Sequence, residues 1–346
     1  MDGIDVALIR TDGHQHIEVL GGHTYPYPPA LREELQHIIS QPDQAATAPL
    51  TELTSTVTQA HAEAILQFMR DYKCTTPDVF GVHGQTIYHA PAKRLTRQLG
   101  CGQTLANTLG GKVVMQFRQA DIAAGGQGAP LMPLYHAAIT ANLPTPVMVL
   151  NLGGVGNVTY LADGDIIAFD TGPGNALLDD LMRERTGKPY DKNGEEASRG
   201  QVNQNILAQF LAQPYFTAPA PKSLDRQTFK PILAAVNQLT LPDALATLAA
   251  CTVESAALAN TLVPQPARRW LVTGGGRLNT TLMKGLQAKI PAPVEPIETI
   301  GYSGDFLEAQ GFAYLAVRSL LGLPLSLPTT TGAPEAMTGG VVYSPK

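Results

Sequence analysis

The sequence predicts an α/β protein built from two related domains. The first observation is the stretch 147–178, which has the pattern of three strands, two turns and the start of a helix. The second is an internal echo, because DVALIRTDGHQHIEVL at 5–20 repeats the strand, Asp-Gly turn and strand of NVTYLADGDIIAF at 157–169. The third is length, since 346 residues exceed the usual size of one hydrophobic core.

The two copies of this pattern are unequal. In the second copy an apolar strand and a glycine turn precede the hairpin, whereas only Met1, Asp2 and Gly3 precede it in the first. A sheet edge in the first domain would then be uncovered. Chance similarity between two hairpins is the alternative to duplication. With duplication, we expect an N-terminal domain over 1–135, to which 325–346 returns, and a C-terminal domain over 136–324.

Composition indicates a cytoplasmic protein that acts on a small molecule. Hydrophobic residues make up 44% of the chain, and we expect no apolar run long enough to span a bilayer. The N-terminus does not have the pattern of a secretory signal. The three scattered cysteines are typical of a reducing compartment and offer no zinc spacing. A net charge of −5 argues against a nucleic-acid surface.

Apolar periodicity and turn signals predict the other elements in chain order. In the first domain we expect strands at 4–10, 17–20, 79–82 and 113–117 and helices at 28–39, 51–74 and 131–143. In the second we expect strands at 147–152, 158–161, 166–169, 270–273 and 295–297 and helices at 176–186, 201–213, 241–263 and 306–321. The motif His83-Gly84-Gln85-Thr86 is predicted to lie in a loop.

A carboxylate, Asp170, ends the third strand of the central stretch and precedes a glycine loop and a helix start. Open α/β sheets bind ligands at this edge, and the N–H groups of a glycine turn suit an anion such as phosphate. We therefore expect an anion-binding turn at Gly153, Gly154 and Gly156. From the residues alone, Asp170 could equally be a helix N-cap and the glycines a bare tight turn.

Eight segments lie in the order that is typical of one family. They are HGQTIYHAP (83–91), FRQADIAAGGQGAPLMPLYH (117–136), LNLGGVGNVTYL (150–161), FDTGPGNALLDD (169–180), YDKNGEEASRG (190–200), PKSLDRQTF (221–229), VTGGGRLNTTLM (272–283) and GDFLEAQGFAYLAVR (304–318). With these segments, which extend over nearly the whole chain, the sequence resembles the anhydro-N-acetylmuramic acid kinases. These are sugar kinases of the actin, hexokinase and heat-shock-chaperone ATPase superfamily.

The resemblance implies a fold and a reaction. The fold is two duplicated actin-like ATPase (ribonuclease H-like) domains with ATP and Mg²⁺ in the cleft between them. The reaction opens the 1,6-anhydro ring of 1,6-anhydro-N-acetylmuramate with water and phosphorylates O6, which gives N-acetylmuramate 6-phosphate in peptidoglycan recycling. Some relatives are dimers, so the resemblance leaves a homodimer as one possible oligomeric state.

The resemblance also assigns roles to residues. It implies that Asp170 is the catalytic aspartate, and it names no metal ligand. It implies nucleotide contacts at Asp2, Gly3, Asn151, Gly153, Gly154, Gly156, Asn157, Gly274, Gly275 and Gly276, and sugar contacts at His83, Thr86, Arg118, Asp121 and Glu308. The structural alternatives are a core histidine at 83, an ion pair at 118, a stiffened hinge at 121, a strand–helix turn at 274–276 and a helix cap at 308.

The chain departs from the family pattern at its start. Family members begin with a strand and a Gly-Thr-Ser-x-Asp-Gly phosphate loop, and residues 1–5 align with its end. An active kinase and a catalytically impaired sugar-binding or regulatory relative therefore both stay open, as does a kinase for another acyl sugar. Nucleotide binding with sugar-dependent release of ADP would distinguish the first two.

Overall fold

A computed structural model describes residues 3–224 and 228–346. The chain forms two compact units. Unit 1 comprises Met1–Ala141 and Phe306–Lys346, and unit 2 comprises Asn142–Asp305. The first segment of unit 1 ends at Ala141, six residues beyond the predicted boundary at 135/136. The chain returns to unit 1 at Phe306 rather than at residue 325.

The elements are numbered in chain order. The strands are β1 (Gly3–Thr11), β2 (Ile17–Pro26), β3 (Phe80–Gly81), β4 (Gln85–Ala90), β5 (Leu95–Leu99), β6 (Val113–Met115), β7 (Val147–Leu152), β8 (Val155–Ala162), β9 (Asp165–Pro173), β10 (Arg269–Thr273), β11 (Val294–Pro296) and β12 (Val341–Tyr343). The helices are α1 (Pro29–Ile39), α2 (Pro42–Thr47), α3 (Thr51–Asp71), α4 (Gly102–Leu109), α5 (Gln119–Ala123), α6 (Pro133–Thr140), α7 (Ala176–Thr186), α8 (Gln204–Leu211), α9 (Ile232–Ala235), α10 (Leu241–Ala257), α11 (Thr280–Lys289), α12 (Leu307–Leu320) and α13 (Pro328–Thr331).

Unit 2 contains one mixed sheet in the order β11-β10-β7-β8-β9. β10 is parallel to both β7 and β11, whereas β8 is antiparallel to β7 and β9. β7 is apolar except at Asn151 and is buried almost throughout, as expected for a central strand covered on both faces. The predicted Asp163-Gly164 hairpin turn is confirmed, and Gly164 has a φ of 91°, which favours glycine. The carboxyl ends of β7 and β10 therefore meet at one edge.

Unit 1 repeats this topology with one position open. β1 and β2 form an antiparallel pair, and β3 lies in a separate sheet with β6 and β12. The parallel pair β3 and β6 corresponds to β10 and β11, and the hairpin of β1 and β2 corresponds to β8 and β9. Between β1 and β3, where unit 2 has β7, there is a cavity of about 790 Å³ that both strands line. The uncovered edge that the echo predicts is thus present at β1.

The last helix and the tail explain the boundary that the sequence misplaced. α12 packs against β1 and β3, so it belongs to unit 1 rather than to the predicted C-terminal domain. The tail returns as expected, because β12 pairs antiparallel with β6. Two local predictions are also corrected. Gln85 and Thr86 begin β4 rather than lying in a loop, and β9 continues beyond Asp170 to Pro173.

One apolar helical stretch corrects the composition argument. Leu241–Thr261, which contains α10, has the length and hydropathy of a membrane span, although no such run was expected. Of its most apolar window, 61% is buried inside the protein. Leu245 and Leu248 lie in the core of unit 2 with Trp270 of β10. This burial is typical of a core helix.

Candidate active site

Two glycine segments of unit 2 meet at the carboxyl ends of β7 and β10. Residues 153 and 154 form the tight turn from β7 to β8, and Gly274 follows β10 directly. Gly274 has a φ of 75°, and a Cβ there would lie 2.5 Å from Oδ1 of Asn151 and 2.7 Å from the carbonyl oxygen of Leu152. A side chain is therefore excluded at Gly274 both by conformation and by space. The structure thus brings together the residues predicted to bind nucleotide at 151–157 and at 274–276.

The glycines of this edge differ in why they lack a side chain. A Cβ on Gly276 would lie 2.4 Å from Cβ of Leu152, and one on Gly156 would lie 2.8 Å from Oγ1 of Thr171, so packing accounts for both. Around Gly153, Gly154 and Gly275 the nearest atoms are 3.5 to 4.0 Å from such a Cβ. Packing does not require glycine at those three positions. Their bare backbone leaves room for a ligand to approach.

Backbone donors face this open space. In the described part of the chain, the amides of Gly153, Gly154 and Gly275 make no hydrogen bond. The carbonyl oxygens of the β7–β8 turn are occupied instead. The amide of Asn175 donates to Gly153 at 2.7 Å, and the amide of Gly174 donates to Gly154 at 3.2 Å. The start of α7 therefore braces the turn, and the turn's own N–H groups are the donors left for an anion.

Asp170 lies within β9, beside this edge. Its register partner on β8 is Asn157, and the ladder is irregular between Gly156 and Asn157, where Thr171 is left unpaired as a β-bulge. The N-cap interpretation of Asp170 is wrong, because α7 begins at Ala176 and its N-cap residue is Asn175. The carboxylate therefore does not serve the helix.

Among the described residues, the carboxyl group of Asp170 accepts one hydrogen bond, and burial leaves it poorly solvated. The amide of Leu224 donates to Oδ2 at 2.7 Å, and no described residue donates to Oδ1. Burial raises the pKa of Asp170 from 3.8 to about 7, and the Leu224 amide offsets part of that rise. A carboxyl group with a pKa near neutrality can exchange a proton at physiological pH.

In unit 1, the predicted sugar residue His83 is paired with Arg118. Nε of Arg118 donates to Nε2 of His83 at 2.9 Å, and the imidazole stacks on Phe312 with ring centroids 4.3 Å apart. Burial and then the Arg118 charge hold the pKa of His83 well below its usual value. The histidine is therefore neutral, and its protonated nitrogen is Nδ1 because Nε2 accepts a hydrogen bond.

His83, Thr86 and Glu308 border the cavity between β1 and β3. Glu308 lines this opening, where the surrounding protein shields its carboxyl group from bulk water and raises its pKa. The nearby Arg118 charge works in the opposite direction. The imidazole, the hydroxyl and the carboxyl group thus all border the same cavity of unit 1. Gly3, which starts β1, also borders the cavity, whereas Asp2 lies outside the described residues.

Asp121 lies away from that cavity and is almost completely buried, with 2% of its surface exposed. The amide of Gly128 donates to Oδ1 at 2.6 Å, and the hydroxyl groups of Ser326 and Thr331 donate to Oδ2. The carboxylate therefore ties the glycine-rich loop to the returning tail. This arrangement supports the stiffening role that the sequence offered as the alternative to sugar contact.

Sequence reasoning missed Arg277, which braces the second glycine segment. Its guanidinium donates to Glu298 and to Asp305, both at 2.8 Å, and to the carbonyl oxygen of Gly274 at 3.0 Å. The side chain is only 4% exposed. A basic residue directly after three glycines was the available signal, but the two acidic partners lie more than 20 positions away.

These observations define a class of protein. Donor amides on bare glycine backbone at the ends of adjacent parallel strands, next to a carboxyl group of raised pKa, are typical of an α/β protein that binds an anionic ligand and moves a proton. A family model described as anhydro-N-acetylmuramic acid kinase matches residues 1–345. The chain belongs to this kinase family.

Curated relatives agree with that assignment. The chain is 48% identical over 345 residues to an anhydro-N-acetylmuramic acid kinase of Rhodospirillum rubrum, a match covering 99% of this chain and 91% of the relative. It is 46% identical over 349 residues to the kinase of the same name from Paramagnetospirillum magneticum, covering 100% and 97%. These names do not favour the alternative of a regulatory relative.

Solved structures of low identity are also similar to the chain. One is an activator of 2-hydroxyisocaproyl-CoA dehydratase from Clostridium difficile with bound ADPNP, at 10% identity and a TM-score of 0.45, covering 91% of this chain and 94% of that one. Another is a ROK family glucokinase from Streptomyces griseus in complex with glucose and AMPPNP, at 12% identity and a TM-score of 0.42, covering 91% and 97%.

Proposed function

We propose that the chain uses ATP to open 1,6-anhydro-N-acetylmuramate with water and to phosphorylate O6. The product is N-acetylmuramate 6-phosphate, formed in the cytoplasm during recycling of peptidoglycan. Family membership supports the substrate and the phosphotransfer. The observation that carries the chemistry is the carboxyl group of Asp170, with Oδ1 unpaired among the described residues and a pKa of about 7.

Asp170 acts as the general base in this proposal. A water molecule attacks C1 of the sugar, and Oδ1 of Asp170 takes one of its protons, so that the other hydrogen stays on the new C1 hydroxyl group. The bond between C1 and the bridging oxygen breaks, and the electron pair stays on that oxygen as O6. O6 then forms a bond to the γ-phosphorus of ATP while the bond to ADP breaks.

The glycine segments of unit 2 suit the phosphates of a nucleotide. The donor amides of Gly153, Gly154 and Gly275 would hold phosphate oxygens, with Asn151 and Asn157 beside them. Mg²⁺ neutralises charge on the phosphates when it is bound. No group of three His, Cys, Asp or Glu side chains that could hold a metal occurs among the described residues. This fits a magnesium ion that is bound mainly through phosphate oxygens and water.

The sugar contacts in this proposal come from unit 1. His83, Thr86 and Glu308 supply an N–H group, a hydroxyl group and a carboxyl group at one cavity, and Arg118 fixes the imidazole. Asp121 acts on these groups indirectly, by holding the neighbouring loop.

The test is the Asp170→Asn variant, assayed with ATP, Mg²⁺ and the anhydro sugar. Asparagine keeps the size and can still accept from Leu224, but it cannot take a proton. We expect turnover to fall by about two to four orders of magnitude, while calorimetry shows nucleotide and sugar binding close to that of the wild type. Turnover within a few-fold of the wild type would refute the role of Asp170. Failure of the wild type to bind ATP would favour the regulatory alternative.

A further inference from the structure

The segment from Pro214 to Leu224, which includes the start of the PKSLDRQTF motif, covers the outer edge of β9 at Asp170. β9 is the last strand in the sheet order, so its outward backbone groups have no neighbouring strand. The amide of Asp170 donates to the carbonyl oxygen of Lys222 at 2.9 Å. The hydroxyl group of Tyr215 donates to the carbonyl oxygen of Asp170 at 2.6 Å. Two parts of one segment thus satisfy both outward groups of a single residue.

The same segment holds the side chain. The amide of Leu224 donates to Oδ2 of Asp170 at 2.7 Å, two residues after the carbonyl oxygen that receives the Asp170 amide. Backbone and carboxylate are therefore fixed by neighbouring atoms of one short stretch. A shift of that stretch would move the carboxylate and loosen the hydrogen bond to its Oδ2.

Lys222 connects the two parts of the segment. Its ammonium donates to the carbonyl oxygen of Tyr215 at 2.7 Å and lies 4.5 Å from the centre of the Tyr215 ring. It also lies 5.6 Å from the centre of the Phe169 ring, one residue before Asp170 in β9. A cation over two rings is held more firmly than one exposed to water. The lysine thereby joins the turn that carries Tyr215, the stretch that carries Leu224 and β9 itself.

We propose that Lys222 is a positioning residue for proton transfer at Asp170. It fixes the segment so that the Leu224 amide holds Oδ2 and leaves Oδ1 to accept the proton of the attacking water. This inference rests on the proposed function of Asp170. It assigns a task to a motif that neither the nucleotide contacts nor the sugar contacts use.

The charged surroundings of this carboxyl group are simple in the described chain. In the covering segment the titratable groups are Tyr215, whose hydroxyl group donates to the backbone carbonyl oxygen of Asp170, and Lys222, whose ammonium donates to the carbonyl oxygen of Tyr215. On the other side, β8 presents the uncharged Asn157. Burial lowers the pKa of Lys222 to about 8, and burial followed by the Asp170 charge raises that of Tyr215. Lys222 is therefore mostly protonated at pH 7. Its positive charge is what the Phe169 and Tyr215 rings attract. Asp225 and Arg226 lie outside the described residues.

The test compares Lys222→Met and Lys222→Arg in the full chain with ATP, Mg²⁺ and the anhydro sugar. Methionine keeps the apolar stem but loses the ammonium, and we expect kcat to fall by about tenfold or more because misplaced groups react slowly. KM for both substrates should stay within twofold. The acidic limb of the kcat profile should move to higher pH, because the Leu224 hydrogen bond that lowers the Asp170 pKa weakens. Lys222→Arg should restore most of the rate.

The matched control is Lys230→Met, which changes an exposed lysine nearby. Its kcat and its pH profile should equal those of the wild type.

Two outcomes would overturn the proposal. One is a Lys222→Met enzyme with the kcat and acidic limb of the wild type. The other is a lower kcat with an unmoved limb and a lower Tm, which would mean a structural role alone. If Lys222→Met does not fold, Tyr215→Phe is the second variant. It removes the hydroxyl group that donates to the backbone carbonyl oxygen of Asp170, and it must move the acidic limb to higher pH as well.

If Asp170→Asn retains turnover, the proposed function fails. If Asp170→Asn is inactive while Lys222→Met and Tyr215→Phe match the wild type, only the positioning role fails.

Discussion

The pH dependence of turnover is the most direct test of the environment of Asp170. With a pKa of about 7, a general base is about one-tenth ionised at pH 6 and about nine-tenths ionised at pH 8. We therefore expect kcat to rise about tenfold over this range and to be half-maximal near pH 7. Turnover measured by ADP release, with both substrates saturating, gives this profile. An acidic limb near pH 4, or no limb at all, would refute the assignment of a poorly solvated base.

Stability should follow the opposite trend, and the sign can be worked out. Because the folded pKa of Asp170 lies above the unfolded value of 3.8, its contribution to stability is complete below about pH 4 and is lost as the pH rises through 7. The difference of roughly three pKa units sets an upper bound of about 4 kcal/mol, at 1.4 kcal/mol for each unit. Partial contact with solvent reduces this to about 2 kcal/mol.

The Asp170→Asn variant isolates that term, because asparagine is uncharged at every pH. Urea denaturation should show the variant and the wild type close in free energy of unfolding at pH 4, with the variant about 2 kcal/mol more stable at pH 9. A constant difference between the two proteins over this range would contradict the reasoning. A less stable variant at pH 9 would mean that the charged carboxylate stabilises the fold.

Four further changes test other parts of the structure. Gly275→Ala should weaken ATP binding in calorimetry with little change in Tm, because a Cβ at position 275 has space. Gly276→Ala should lower the free energy of unfolding by about 2 kcal/mol, because its Cβ clashes with Leu152. Equal effects of the two variants would contradict the distinction between these glycines. Asp121→Asn should lower the free energy of unfolding by about 2 kcal/mol without raising KM for the sugar, because the Asp121 carboxyl group accepts buried hydrogen bonds. A raised KM with unchanged stability would favour direct contact between Asp121 and the sugar. Fusing an apolar strand like β7 ahead of Gly3 through a two-glycine turn should raise Tm by pairing with the uncovered edge of β1, and a scrambled strand should not.

Local patterns predicted the framework of each unit. The run Val147–Leu152, apolar except at Asn151, determined β7 to the residue, and the Asp163-Gly164 pair determined the turn between β8 and β9. These features depend on neighbours in sequence, through backbone conformation and burial of alternate faces. The internal echo likewise indicated the open strand position of unit 1. The motifs predicted the family, because eight short segments in order specify more than any one of them.

Tertiary structure decided the chemistry of the side chains. The sequence placed Asp170 next to a helix start and could not separate a cap from a base. Only the fold shows that Leu224, 54 positions later, holds one oxygen and that burial raises the pKa. Asp121 shows the same limit, because its partners in the tail lie more than 200 positions away. A motif determines which groups are available, whereas solvation and hydrogen bonding depend on distant segments that only folding brings into contact.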